Sequence, residues 1–171
     1  MKSFLRFALY LALSLWLGAE LFFPFLAATI FHALQPDTHT AGFLVGRLLT
    51  GLHSLGMAAA VMLILVLILA FLRSLYRAHH VGLLLGLVLA MASLTLHSQF
   101  GITPRMEADR IAAGGAVDAA AADNLARIDF KRLHQRSENI EGVIMLFGLL
   151  ALYTLARAEA LVSEPEAGPR D

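Results

Sequence analysis

The chain has 171 residues, of which 58% are hydrophobic and only 15% are charged. An average soluble domain is about half apolar and about a quarter charged, so this composition indicates an integral membrane protein rather than a soluble or disordered one. The 13 Lys and Arg are balanced by 13 Asp and Glu, which argues against nucleic acid as a partner. The absence of Cys excludes disulfides, iron–sulfur clusters and thiol catalysis.

Four apolar stretches predict four membrane-spanning helices. A span needs about 20 apolar residues, and residues 48–72 and 78–104 contain no Asp, Glu, Lys or Arg. The last stretch, 142–156, is too short for the roughly 30 Å of hydrocarbon and must include residues upstream of it. We therefore expect an all-α, four-helix membrane bundle with an extramembrane helical extension between helices three and four. The predicted domain is 1–158, with spans near 7–34, 46–72, 80–100 and 137–156, a helical loop at 101–136 and a disordered tail at 159–171.

The first apolar stretch has a competing interpretation as a signal peptide, because basic residues precede it. Apolar sequence resumes after Glu20 and runs through Phe31, with no clear cleavage site before a polar start. We therefore expect the first helix to be retained.

Lys and Arg in the short loops predict the orientation. They lie before helix one, after helix two and after helix four, at Lys2, Arg6, Arg73, Arg77 and Arg157. This distribution favours a multi-pass protein of the cell membrane with both termini in the cytoplasm, and an inner-membrane location is expected.

Polar residues from all four spans fall in the same half of the membrane if the helices alternate in direction. Ionisable residues inside a bilayer are costly and mark functional sites by default. Glu20 is expected either to carry a proton or to pair with Arg47. Each histidine has a structural alternative as an interhelical hydrogen-bonding group. The candidate intramembrane polar site comprises Glu20, Arg47, His53, His97, His134, Ser137 and Glu141.

The third span carries a stripe of small residues at intervals of three or four, and the stripe ends at His97. Small residues let membrane helices approach closely, so the stripe is predicted to pack against a neighbouring helix, or alternatively to form a homodimer. His53 and His97 would then supply two imidazoles for a transition metal or haem iron. The stripe consists of Gly82, Gly86, Ala90 and Ser93.

An ordered set of motifs resembles the transmembrane-protein-205-like family, whose bacterial members are catalogued as domain of unknown function number 4149. The resemblance implies a four-helix integral membrane protein with no established reaction and no assigned catalytic residue. The layout is more distantly similar to copper-resistance protein D and to membrane haem-dependent protoporphyrinogen oxidases, which suggests metal or haem by analogy alone. The motifs are Trp16-x-Gly18, Ala41-Gly42-x-x-Val45-Gly46-Arg47-Leu48, Leu52-His53-x-x-Gly56, Pro104-Arg105 with Arg110, and Phe130-x-x-Leu133-His134-x-x-Ser137.

Three functions remain open at this point, and none of them assigns a catalytic residue. The first is an accessory membrane protein in which the polar layer holds the bundle together. The second is a metal- or haem-binding protein that uses His53 and His97, with Glu20 or His134 as a further ligand. The third is a transport module for a small cation or a metal complex, which would need a homodimer because four helices rarely enclose a path. The expected partners are the lipid bilayer and a second copy of the chain.

Overall fold

The computed structural model describes residues 1–163, and this part of the chain is helical apart from short connections. Four helical segments are long and apolar enough to cross a membrane, namely α1, α2, α3 continued through α4, and α5. This confirms the predicted all-α architecture with four candidate spans. The elements are α1 (Lys2–Ala33), α2 (Thr38–Leu72), α3 (Ala78–His97), a π-helical turn (Ser98–Ile102), α4 (Thr103–Ala112), a 3-10 turn (Val117–Ala119) and α5 (Leu125–Ser163).

The fourth candidate span lies within a helix that begins well before its apolar stretch. α5 starts at Leu125, so the apolar stretch 142–156 is continuous with helical residues upstream of it. Gly114 and Gly115, with φ of 84° and 90°, make the turn that separates α5 from α4. α5 also continues to Ser163, past the predicted start of the tail at residue 159. The remainder of that predicted tail, 164–171, lies outside the described residues.

The helices pack in a ring in which each contacts two neighbours, in the order α1, α2, α3, α5 and back to α1. Each helix contributes large side chains to one apolar core, represented by Leu13, Leu67, Met91 and Ile144, all at most 1% exposed. Many other large apolar residues lie on the outside of the bundle, as expected where the surrounding solvent is lipid.

α1 and α2 cross closely at Trp16 and Gly56. A Cβ atom placed on Gly56 would lie 2.6 Å from the indole Nε1 of Trp16 and 2.9 Å from its Cε2. Trp16 itself is fully buried. Only glycine therefore leaves room for the indole at this crossing.

At the end of the bundle where α1 begins, a polar cluster joins α1, α5 and the connection between α2 and α3. Arg6 of α1 forms an ion pair of 3.0 Å with Glu159 of α5, and the Tyr76 hydroxyl donates a hydrogen bond of 2.6 Å to the same carboxylate. Glu159, the first residue of the predicted tail, is thus in contact with α1 and with the connection between α2 and α3. Burial and the neighbouring carboxylate raise the pKa of Tyr76 above its ordinary value of 10.0.

The Gly56→Ala variant should be less stable than the wild type by about 1–3 kcal/mol, because the new methyl group displaces the indole of Trp16. Gly86→Ala is the matched control, since no atom lies within 4 Å of a Cβ there. Thermal unfolding in detergent, followed by the fluorescence of the single Trp, measures both. Equal melting temperatures for the two variants would contradict the close crossing.

Stability should fall as the pH rises above about 10, the pKa of an unfolded tyrosine. Above that pH the unfolded chain releases the Tyr76 proton, whereas the folded chain retains it because its pKa is raised. Tyr76→Phe should show a shallower fall, whereas the exposed Tyr153→Phe should follow the wild type. Melting temperatures measured over alkaline pH test this, and parallel curves for Tyr76→Phe and wild type would refute it.

Candidate functional site

His53 lies at the centre of a buried polar cluster between three elements. Its side chain is fully buried. Its Nδ1 is 2.8 Å from Oε1 of Gln99 in the π-helical turn, and its Nε2 is 2.9 Å from Oε1 of Glu141 in α5. The imidazole of His53 therefore links α2 to the π-helical turn and to α5 through hydrogen bonds.

The His53 ring can satisfy its hydrogen bonds in either protonation state. With two oxygens opposite its nitrogens, both N–H groups donate and the ring is an imidazolium. If the Gln99 amide turns over, its NH2 donates to Nδ1 and a neutral ring still donates from Nε2 to Glu141. The site is thus built to hold His53 with or without the second proton.

Glu141 is the acceptor shared by two donors. Its Oε1 accepts from His53 and from the Ser98 hydroxyl at 3.0 Å. Its Oε2 is buried and has no hydrogen-bond partner within the described chain, and the same holds for the buried hydroxyl of Thr95. The cluster therefore contains one carboxylate oxygen whose hydrogen-bonding capacity is unused.

Glu20 is the second buried carboxylate of the cluster. It is 2% exposed, and its Oε1 accepts a hydrogen bond of 3.2 Å from Nε1 of Trp16, one turn earlier in α1. The indole of Trp16 also lies against Gly56, one turn after His53 in α2, which places Glu20 beside the cluster. Among residues 1–163, no Lys or Arg forms an ion pair with Glu20 or Glu141. His53 is therefore the only basic side chain paired with either carboxylate in this part of the chain.

The π-helical turn positions Ser98 and Gln99 at the cluster. The wider turn lets the Thr103 hydroxyl donate to the carbonyl of Ser98 at 3.0 Å. Pro104 lies in the first turn of α4, just after the π-helical turn. Proline has no N–H to donate, and its ring needs space. π-helical turns of this kind occur frequently at functional sites.

The structure brings together three of the seven predicted site residues, which are Glu20, His53 and Glu141. Ser137 is also buried, one turn before Glu141. The other three lie exposed: Arg47 faces a groove between α1 and α2, and His134 pairs with Glu138 at 3.2 Å. The expected pair of Glu20 with Arg47 is not formed; Trp16 takes that place.

The predicted juxtaposition of His53 and His97 is wrong. His97 is exposed, whereas Gln99, two residues later in the π-helical turn, contacts His53. Both ring nitrogens of His53 already have partners in the cluster. Within residues 1–163, no three His, Asp or Glu side chains are arranged to hold a metal ion.

The predicted packing of the small-residue stripe within the chain is also wrong. Gly82, Gly86 and Ser93 are exposed and Ala90 is partly so, and no atom lies within 4 Å of a Cβ on either glycine. The buried face of α3 is the opposite one, where larger side chains fill the core. It consists of Val81, Leu84, Val88, Met91 and Thr95. The homodimer alternative for the stripe stays a prediction.

The predicted site did not include Gln99, Ser98, Thr95 or the indole donor Trp16, which the structure adds to it. A signal for two of them was present, because Thr95 and Ser98 continue the spacing of three and four residues that runs along the buried face of α3. The Gly-x-x-x-Gly pattern on the other face outweighed this signal. The roles of Gln99 and Trp16 depend on which helices are neighbours.

Replacing His53 by Leu should lower stability by about 1–3 kcal/mol, since Glu141 and Gln99 lose the partner that satisfies them inside the bundle. His97→Leu removes the same side chain from an exposed position and serves as the control. Unfolding in a detergent series compares the two variants with the wild type. Equal losses for both histidines would show that the cluster does not stabilise the bundle.

Comparison with known protein families identifies the family of this chain. A model described as a domain of unknown function, DUF4149, matches residues 11–112, from within α1 to the end of α4. The match includes Glu20, His53 and Gln99, whereas Glu141 lies beyond it. Searches of curated proteins and of solved structures gave no match. Because the matched residues make up more than half of the chain, this four-helix protein belongs to the DUF4149 family.

Proposed function

We propose that the protein is an accessory integral membrane protein with a proton-binding centre formed by Glu20, His53 and Glu141. The observation that carries the proposal is the fully buried imidazole of His53, which has a hydrogen-bond partner on each nitrogen, one of them the carboxylate of Glu141. Intramembrane carboxylates and histidines of this kind commonly mark proton relays.

Charge balance supports proton binding at this centre. Two ionised carboxylates and a neutral imidazole would carry two negative charges inside an apolar bundle, where unbalanced charge is strongly unfavourable. Because no Lys or Arg within residues 1–163 forms an ion pair with Glu20 or Glu141, protons are the counter-charges available to the cluster. The three groups then exchange protons as one coupled unit rather than independently.

The unused oxygen of Glu141 favours a proton-exchanging role over a purely structural one. A cluster that served only to hold helices together would gain most from satisfying every buried acceptor. Instead, Oε2 of Glu141 and the hydroxyl of Thr95 are buried without partners in the described part of the chain. A carboxylate oxygen with free lone pairs is a place where a proton can be taken up.

Access to the centre runs from the end of the bundle that carries α4. Gln99 and Glu141 are only partly buried, and both lie towards that end, next to the π-helical turn and the start of the fourth span. The centre thus exchanges protons with the compartment opposite the termini. With both termini in the cytoplasm, as the basic residues favour, that compartment lies outside the cell membrane.

Transport by a homodimer is the second candidate function. The outward-facing stripe of Gly82 and Gly86 has open space beside it, which is where a second copy could approach. Native mass spectrometry of the protein in mild detergent decides between the two states. A strict monomer would contradict the transport candidate and would leave the accessory proton-binding role in place.

Infrared spectroscopy tests the proton-binding centre directly, because a protonated carboxylic acid has a C=O stretch distinct from that of a carboxylate. Near neutral pH the reconstituted protein should show this band, with a shift in heavy water. Glu20→Gln and Glu141→Gln should each weaken it or move its pH dependence. Glu138→Gln changes an exposed carboxylate and should leave the band unaltered.

The His53→Gln variant tests the same centre through the pH dependence of the carboxylic acid band. It removes the one basic side chain of the cluster, so the acid band of the variant should persist to higher pH than in the wild type. The proposal fails if no carboxylic acid band is present near neutral pH, or if the band responds equally to the change at Glu138.

A further inference from the structure

α1 and α2 leave a groove between them in the half of the bundle that contains Arg47. After Glu20, α1 has no buried residue, and α2 has none between Ala41 and Leu52. The helices cross closely at Trp16 and Gly56 and approach again where Phe31 lies 4.0 Å from a Cβ placed on Gly42. The space between these two approaches is a groove that is bounded at both ends.

The groove is apolar along most of its length. It has a volume of about 320 Å³, and its walls include Phe22 and Leu26 of α1 and Leu48, Gly51 and Leu55 of α2. Phe22 and Leu55 are 63% and 40% exposed, so the groove opens sideways to the surroundings of the bundle. No atom lies within 4 Å of a Cβ on Gly51, which therefore widens the groove.

Arg47 is the one charged residue in the wall of this groove. Across residues 1–163, no Asp or Glu forms an ion pair with it and no hydrogen bond to its guanidinium is formed. It belongs to a membrane-spanning helix, where an unpaired cation is unfavourable unless it reaches the headgroup region or an anion. A guanidinium is well suited to bind a phosphate through two parallel hydrogen bonds.

We propose that the groove binds one phospholipid, with the phosphodiester on Arg47 and an acyl chain lying between α1 and α2. Gly56, where the groove ends, lies nine residues after Arg47 in α2, or about 13 Å along the helix. The acyl chain can therefore contact the apolar walls over this length, starting at the phosphate. The cation and the apolar walls thus match the two parts of one molecule. This proposal is independent of the proton-binding centre, which lies on the inner side of α2.

Photo-crosslinking tests the site in its natural setting. The full-length protein is reconstituted in vesicles of phosphatidylglycerol that contain a fraction of phosphatidylglycerol with a photoactivatable acyl chain. Mass spectrometry of the digested protein should place adducts on the two walls, at residues 22–26 and 48–55. Adducts spread evenly over all outward faces of the four helices would overturn the proposal.

Two variants separate the contributions of the phosphate and the chain. Arg47→Gln should reduce the adduct about tenfold, the loss expected from one charge-assisted hydrogen-bonded contact. Gly51→Phe should reduce it to a similar extent by filling the groove, and the open space at Gly51 lets the variant fold. Arg73→Gln and Ala156→Phe, at exposed positions elsewhere, are the matched controls and should retain the wild-type yield.

Two further arms identify the source of the phosphate. Diacylglycerol with the same photoactivatable chain lacks the phosphate and should give a low yield that does not depend on Arg47. Inorganic phosphate at high concentration should not compete with the phospholipid. Equal labelling by diacylglycerol would overturn the role of Arg47, and competition by inorganic phosphate would assign Arg47 to a free anion instead of a lipid.

Discussion

The arrangement of the bundle depends on the buried imidazole of His53, which has a hydrogen-bonding oxygen opposite each of its two nitrogens. Water cannot replace these partners inside a membrane, so the protein must supply them. The requirement fixes three elements at once: α2, which carries the ring, the π-helical turn with Gln99, and α5 with Glu141. Any rotation of α5 or of the turn would leave a buried polar group without a partner, which is more costly than the loss of the hydrogen bond itself.

α1 joins this arrangement through Trp16. Its indole fits against Gly56 at the crossing with α2, and its N–H satisfies Glu20, so a single side chain provides both the packing and the polar contact. The same crossing has a consequence on the other side of the bundle. Because α1 and α2 are in close contact at this level, the groove beside Arg47 ends there. The proposed proton-binding centre and the proposed lipid groove thus lie on the inner and outer sides of one helix crossing.

The two faces of α3 show where sequence reasoning succeeded and where it did not. The depth of His53 and Glu141 could be predicted, because depth follows from position along an apolar span. The face of α3 that points inward could not be predicted. Both faces have a regular spacing of three and four residues, and either face can be exposed to lipid. The stripe of Gly82 and Gly86 favoured one face, whereas the volume that Val88 and Met91 fill in the core decided for the other. His97 was assigned inward with the stripe, and Gln99 was left out for the same reason.

The sequence by itself determined that the chain is a four-helix membrane protein, because charge-free stretches of this length have no other stable environment. It also determined that the polar residues of several spans share one half of the bundle, since alternating helices return them to the same depth. Only the tertiary structure decided that Glu20, His53 and Glu141 form one cluster while Arg47, His97 and His134 stay outside. The physical reason is that contact between helices depends on their rotation. That rotation is set by the fit of whole side chains, such as Trp16 over Gly56, and not by the position of any one residue along the chain.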